Sequence, residues 1–162
     1  MKRVLLVLSM LTLGFTAAPA QAGWYAGADT GLVIMTGGGS GLGYGLDIRV
    51  GKALEIGVGR LALEAKSSYR ALFGDDSSHI AAGALGARLG LGVGLRAEVF
   101  SHVGWGKVVG GSGNSGLTFD VGLALDTSLP LLTLGVHAAF NMLKGDTSTT
   151  WFDVGVHGEI GF

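Results

Sequence analysis

Apolar and polar residues alternate along most of this chain with a period of two. The pattern is clearest in the last segment, from Trp151 to Phe162, where one parity is apolar and the other is polar or glycine. The apolar set is Phe152, Val154, Val156, Ile160 and Phe162, and the polar set is Asp153, His157 and Glu159. Such a period predicts a β-strand with one apolar and one polar face.

Turn-forming residues divide the rest of the chain into similar strands. Clusters of Gly, Ser, Asp and Asn lie at 36–41, 73–78, 110–116 and 144–149, with shorter candidate turns at 57–60, 90–94 and 126–130. Four longer loops and three short turns imply eight strands. One boundary stays open, because the alternation continues past Lys52. Either the second strand is long, or a turn lies at 51–53.

Composition indicates what these strands surround. The chain is 48% hydrophobic and only 14% charged, with a mean hydropathy of +0.51. Beyond the N-terminal segment, however, no apolar run is long enough for a transmembrane helix. Closed barrels are the other structure that satisfies every backbone polar group in a bilayer. We therefore predict an all-β, eight-stranded antiparallel up-and-down transmembrane β-barrel. A soluble barrel would expose the glycine-rich, charged parity, which makes a poor surface.

The N-terminus carries an export signal. Lys2 and Arg3 precede an apolar run, and Ala20-Gln21-Ala22 provides a cleavage site. We expect residues 1–22 to be a cleaved signal peptide and residues 23–162 to form one barrel domain. The chain has no cysteine and a formal net charge of −1, so neither a disulfide framework nor a nucleic-acid partner is predicted.

The polar parity carries charges of both signs. The predicted luminal network is Asp47, Arg49, Glu64, Lys66, Arg70, Arg88, Arg96, Glu98, Asp120, Asp153 and Glu159. An eight-stranded barrel is barely wide enough for side chains, and unpaired charge there is costly. A paired ionic core is therefore favoured, and a gated ion path or small-ligand site is the alternative.

Outward aromatic residues give the barrel an orientation. Those next to the longer loops are Tyr44, Tyr69, Trp105, Phe119, Phe140 and Phe152. Aromatic belts form at membrane interfaces, and longer loops lie on the extracellular side. Trp24 and Phe162, at the opposite strand ends, would begin the periplasmic belt.

No catalytic, cofactor or metal-binding motif is recognised in the sequence. Some outer-membrane barrels that deacylate lipid A carry His-x-Ser on a strand, but none of the four histidines is followed two residues later by serine. His102, His137 and His157 share the parity of the luminal charges, which favours membership of the inner network. We therefore expect no enzyme activity.

The segments GWYAGADTGL at 23–32 and GRLALEA at 59–65, the eight amphipathic segments and the terminal Phe resemble the small bacterial outer-membrane β-barrels of the OmpA type. The resemblance implies location in the outer membrane of a Gram-negative bacterium. It also implies recognition by the barrel-assembly machinery through the last strand, with Ile160 and Phe162 as the signal. In that signal, as usually described, a Gly stands where this chain has His157.

These expectations combine into a functional prediction. We expect a monomeric integral outer-membrane barrel in contact with lipid, with a structural or interaction role, short extracellular loops of about six to eight residues and no catalysis. A narrow porin-like channel or small-solute binding barrel is the alternative. A lipid-modifying outer-membrane enzyme is a third, less favoured class.

Overall fold

Eight antiparallel strands form a closed barrel. The computed structural model describes residues 21–37, 41–73, 78–110 and 113–162. The strands are β1 (Gln21–Gly37), β2 (Leu42–Ile56), β3 (Gly59–Phe73), β4 (His79–Val93), β5 (Leu95–Val109), β6 (Ser115–Ser128), β7 (Thr133–Lys144) and β8 (Ser148–Gly161). Each strand pairs with the next, and β8 closes on β1. The predicted all-β, eight-stranded fold is confirmed.

The short turns lie at one end of the barrel. Gly57 and Val58 connect β2 to β3, Gly94 connects β4 to β5, and residues 129–132 connect β6 to β7. Gly57 and Gly94 have φ values of 60° and 75°, a region that favours glycine. Because β2 continues without a break to Ile56, the long-strand alternative is correct and no turn lies at 51–53. Lys52 is on the outer face, with its ammonium 5.9 Å from the Trp24 ring centroid.

The longer connections lie at the other end. Strands extend into the turn-forming clusters, so these loops are shorter than six to eight residues. The predicted turn residues 38–40, 74–77 and 111–112 lie outside the described residues, as do residues 1–20 of the predicted signal peptide. Gln21 and Ala22, the end of that segment, pair with Glu55 and Leu54 in β2. The cleavage site stays a prediction.

The alternation sets the two faces of the wall. Leu85 and Leu123 on the outer face are 67% and 65% exposed, whereas Arg88 and Glu98 on the inner face are each 2% exposed. Apolar side chains therefore cover the outside, and charged side chains are buried within. This arrangement is the reverse of a soluble barrel and suits a hydrocarbon surrounding. No described helix is long and apolar enough to cross a membrane.

Candidate functional site in the barrel lumen

Buried ionisable side chains occupy much of the lumen. All eleven residues of the predicted network point inward, and none is more than 8% exposed. Charged groups so far from water need partners, because each unpaired ion costs several kcal/mol, roughly. The structure supplies partners from neighbouring strands and from strands across the barrel.

Glu64 on β3 is the most connected carboxylate. It accepts hydrogen bonds from the Tyr25 hydroxyl at 2.5 Å and from Arg88 Nε at 2.9 Å, and it lies 2.6 Å from His102 Nε2. The other nitrogen of His102, Nδ1, is 2.6 Å from Asp120. His102 therefore links two carboxylates on different strands. Gly86 leaves room for this ring, since a Cβ there would lie 2.2 Å from His102 Cδ2.

Three ion pairs cross the lumen from β3. Near the short turns Arg60 pairs with Glu159, farther along Lys66 pairs with Asp120, and toward the loop end Arg70 donates to Asp153 from Nη2 at 2.7 Å. Their partners lie on β8 and β6, which are not neighbours of β3. These pairs tie opposite walls together at three levels.

Two charged members of the network, both near strand ends, were not predicted from the sequence. Arg60 and Asp126 fall within candidate turns at 57–60 and 126–130, but the structure places them inside β3 and β6. Arg60 Nη1 lies 3.2 Å from Glu98 Oε1, and Asp126 Oδ1 lies 2.8 Å from His157 Nε2. Both residues stand next to turn-forming residues, and this position hid their inward orientation.

An apolar cluster fills the lumen near the longer loops. Its buried members are Val33, Leu72, Ile80, Leu143 and Trp151, with Met35 and Val108 packed against them. These side chains come from six strands. The inner parity is predicted above to be polar, and this apolar plug is not part of that prediction. The sequence pattern could have revealed these residues, because each of them has the inward parity of its strand.

The predicted aromatic belt lies close to the loop end. Tyr44, Tyr69, Trp105, Phe119 and Phe152 point outward and are 40% to 60% exposed, whereas Phe140 is half-buried. Phe140 and Phe152 pack edge to face with centroids 5.4 Å apart. At the other end Ile160 and Phe162 are 52% and 74% exposed. The backbone of Phe162 exchanges two hydrogen bonds with Trp24, at 2.8 and 3.0 Å.

The histidines divide between the two faces. His102, His137 and His157 line the lumen, as the parity predicted, and His102 and His157 are buried. His79 is on the outer wall, where its Nδ1 lies 2.9 Å from the Tyr69 hydroxyl and its ring stacks on that phenol.

Comparisons with solved structures give the fold class. Neisserial surface protein A is similar with a TM-score of 0.72 and 14% identity, over 88% of this chain and 99% of that one. The outer membrane enzyme PagL has a TM-score of 0.59 and 17% identity, over 84% and 98%. The N-terminal β-barrel domain of Pseudomonas aeruginosa OprF has a TM-score of 0.54 and 14% identity, over 89% of this chain and 100% of that one. No protein-family model and no curated protein matches the chain.

Fold and surface together define the class of protein. Small outer-membrane barrels with eight strands share this architecture, and the apolar outer wall of this chain is suited to lipid. The chain has the transmembrane β-barrel fold of these proteins.

Proposed function

We propose that the chain is an integral protein of the bacterial outer membrane with a structural or interaction role, and that its lumen does not conduct. The observation that carries this proposal is the filling of the lumen. Ion pairs from Arg60, Lys66 and Arg70 cross the barrel, and the apolar plug that includes Trp151 lies between them and the loops. Paired charges and apolar side chains that fill an eight-stranded barrel in this way oppose a continuous aqueous path through the described part of the chain.

Conductance across planar bilayers tests the closed lumen. The purified full chain is expected to give no steady single-channel steps, because ions would have to displace paired charges and then pass apolar side chains. Steady steps that disappear in the Arg96→Gln or Glu98→Gln variant would contradict the proposal and favour the narrow-channel alternative. Both side chains are buried and lie 2.7 Å apart, from Arg96 Nε to Glu98 Oε1.

We also propose that the barrel is not an enzyme. The similar PagL is described as an enzyme, but here His79 is the histidine on the outer wall and its polar partner is the Tyr69 hydroxyl. A lipid-hydrolysing site of this kind needs a serine hydroxyl activated by a histidine base. The hydroxyl that lies beside His79 belongs to a tyrosine instead. Lipid A from cells that overproduce the protein should therefore keep its acyl chains unchanged. Loss of an acyl chain that depends on His79 would contradict this view.

The proposed partners follow from the apolar outer wall and from the terminal strand. Outer-membrane lipid would contact the apolar wall, where Leu63, Leu85 and Leu123 are about two-thirds exposed. The barrel-assembly machinery would recognise the terminal strand through Ile160 and Phe162, both on the outer face. The closed β1–β8 seam leaves no unpaired strand edge in the wall, which suits a monomer.

A further inference from the structure

Three luminal side chains near the closure seam form a group outside the three ion pairs that cross the lumen from β3. Asp29 on β1, His137 on β7 and His157 on β8 each present a ligand atom, and these atoms lie within 4.8 Å of one another. Asp29 is directly opposite His157 in the β1–β8 register, and Gly135 is opposite His157 on the other side. His137 follows two residues after Gly135, so both imidazoles enter the lumen from adjoining strands.

Some ring nitrogens of these two histidines have a hydrogen-bond partner and others have none. His157 is 4% exposed, and its Nε2 lies 2.8 Å from Asp126 Oδ1. Its Nδ1, and the Nδ1 of half-buried His137, are buried without a hydrogen-bond partner among the described residues. Leaving such a group unsatisfied costs free energy. A carboxylate on one imidazole nitrogen, with the other nitrogen free, is the arrangement that orients histidine for a metal ion.

Gly135 gives this arrangement its space. A Cβ at that position would lie 2.4 Å from Asp126 Oδ1 and 2.5 Å from His157 Nε2. Any larger residue would therefore push the carboxylate and the imidazole apart. Gly135 therefore leaves the space in which Asp126 and His157 pair.

The buried charge also favours a cation. Among the described residues the buried carboxylates are Asp29, Asp47, Glu64, Glu98, Asp120, Asp126, Asp153 and Glu159, and the buried bases are Arg49, Arg60, Lys66, Arg70, Arg88 and Arg96. Both ring nitrogens of His102 lie 2.6 Å from carboxylates, so both must donate and His102 counts as a seventh positive charge. With the other two luminal histidines neutral, eight negative charges face seven positive ones. A bound cation would offset this negative surplus.

Arg49 is the group that competes for Asp29. Its guanidinium pairs with that carboxylate, but it also lies 3.6 Å from Glu64 and 3.6 Å from Glu159. Nε and Nη2 of Arg49 make no hydrogen bond within the described part of the chain. Arg49 can therefore stay paired when Asp29 turns toward a cation.

We propose that Asp29, His137 and His157 bind one divalent transition-metal ion of the Zn²⁺ type inside the lumen. Imidazole and carboxylate are ligands that such ions accept, and three protein ligands with one water make a tetrahedral site. Ligand atoms around tetrahedral zinc lie about 3.3 Å apart, so the three side chains must draw closer on binding. A small cavity beside Asp29 and His137 has room for about one water molecule. The bound ion would cross-link three strands at the seam.

Zinc counting tests this site. The tag-free full chain is refolded in detergent with a small excess of ZnCl₂, free metal is removed, and bound zinc is measured by mass spectrometry. The expected result is one zinc ion per folded chain. Wild-type protein that retains no zinc would overturn the proposal.

Variants then locate the ion. His137→Gln and Asp29→Asn should abolish retention, and Asp126→Asn, which removes the carboxylate charge beside His157, should weaken zinc affinity roughly 10- to 100-fold. His79→Gln changes a histidine on the outer wall and is the matched control, with unchanged zinc content expected. Folding of each variant is checked by heat-modifiable migration on a gel. Equal loss of zinc in the His79 and His137 variants, or full retention in every folded ligand variant, would overturn the assignment.

Discussion

Replacing Glu64 with glutamine is expected to lower the free energy of unfolding by about 3–5 kcal/mol. The variant keeps the size of the side chain but removes the charge that faces Arg88, Arg49 and His102. Breaking a buried ion pair is costly because the remaining partner stays buried and uncompensated. Equilibrium unfolding in denaturant, with the barrel folded into lipid vesicles, measures the change.

Glu55→Gln is the matched control for this prediction. The Glu55 side chain is 45% exposed, and it lies 3.5 Å from Arg60 and 3.4 Å from Arg96. Solvent screens such pairs, so the expected loss is below about 1 kcal/mol. Equal losses for Glu64 and Glu55 would mean that water reaches both carboxylates, and the lumen would then not be a sealed ionic core.

Leu123→Arg is the second substitution with a large expected effect. Leu123 lies in the middle of β6 on the outer wall and is 65% exposed. An arginine on the lipid face near the bilayer midplane destabilises a barrel by about 2–4 kcal/mol. Unfolding from lipid vesicles should show a loss of this size, although the substitution removes no contact inside the barrel.

An arginine at the end of the barrel is the control, because it distinguishes the cost of a charge deep in the membrane from any general cost of introducing arginine. Leu131 is 82% exposed and lies in the turn between β6 and β7, outside the strands. Leu131→Arg should cost only about 0–1 kcal/mol, since charged residues near the interface are tolerated. A neutral Leu123→Arg variant would contradict the lipid-facing assignment of this wall.

The alternation predicted the faces of the strands well, because a period of two fixes side-chain direction whatever the partner strand. In β4, where apolar and small residues dominate, the face is predicted only from the expectation that Arg88 points inward, and the structure confirms that orientation. Strand ends were less predictable. Arg60 and Asp126 adjoin turn-forming residues, and local sequence does not reveal that pairing with the next strand continues past them.

Partner choice within the lumen could not be predicted from local pattern. Lys66 and Asp120 are 54 positions apart in the chain, and they meet because the stagger of a closed barrel brings their strands to one level. The apolar plug was missed for a related reason. Parity predicts that Trp151 and Leu143 point inward. It does not predict that inward residues from several strands lie at the same level along the barrel axis and therefore pack together. His157 is predicted to face the lumen, but its partner Asp126 on β6 does not follow from the local pattern.

The three tryptophans allow the most direct test of the inside-out arrangement. Trp105 is 60% exposed on the outer wall, whereas Trp151 is 4% exposed in the lumen. Variants that retain one tryptophan, with phenylalanine at the other two positions, can be folded into vesicles of lipids with brominated acyl chains. Fluorescence of Trp105 should be strongly quenched, and fluorescence of Trp151 should be quenched far less. Stronger quenching of Trp151 than of Trp105, or no quenching of either, would contradict the transmembrane barrel described by this structure.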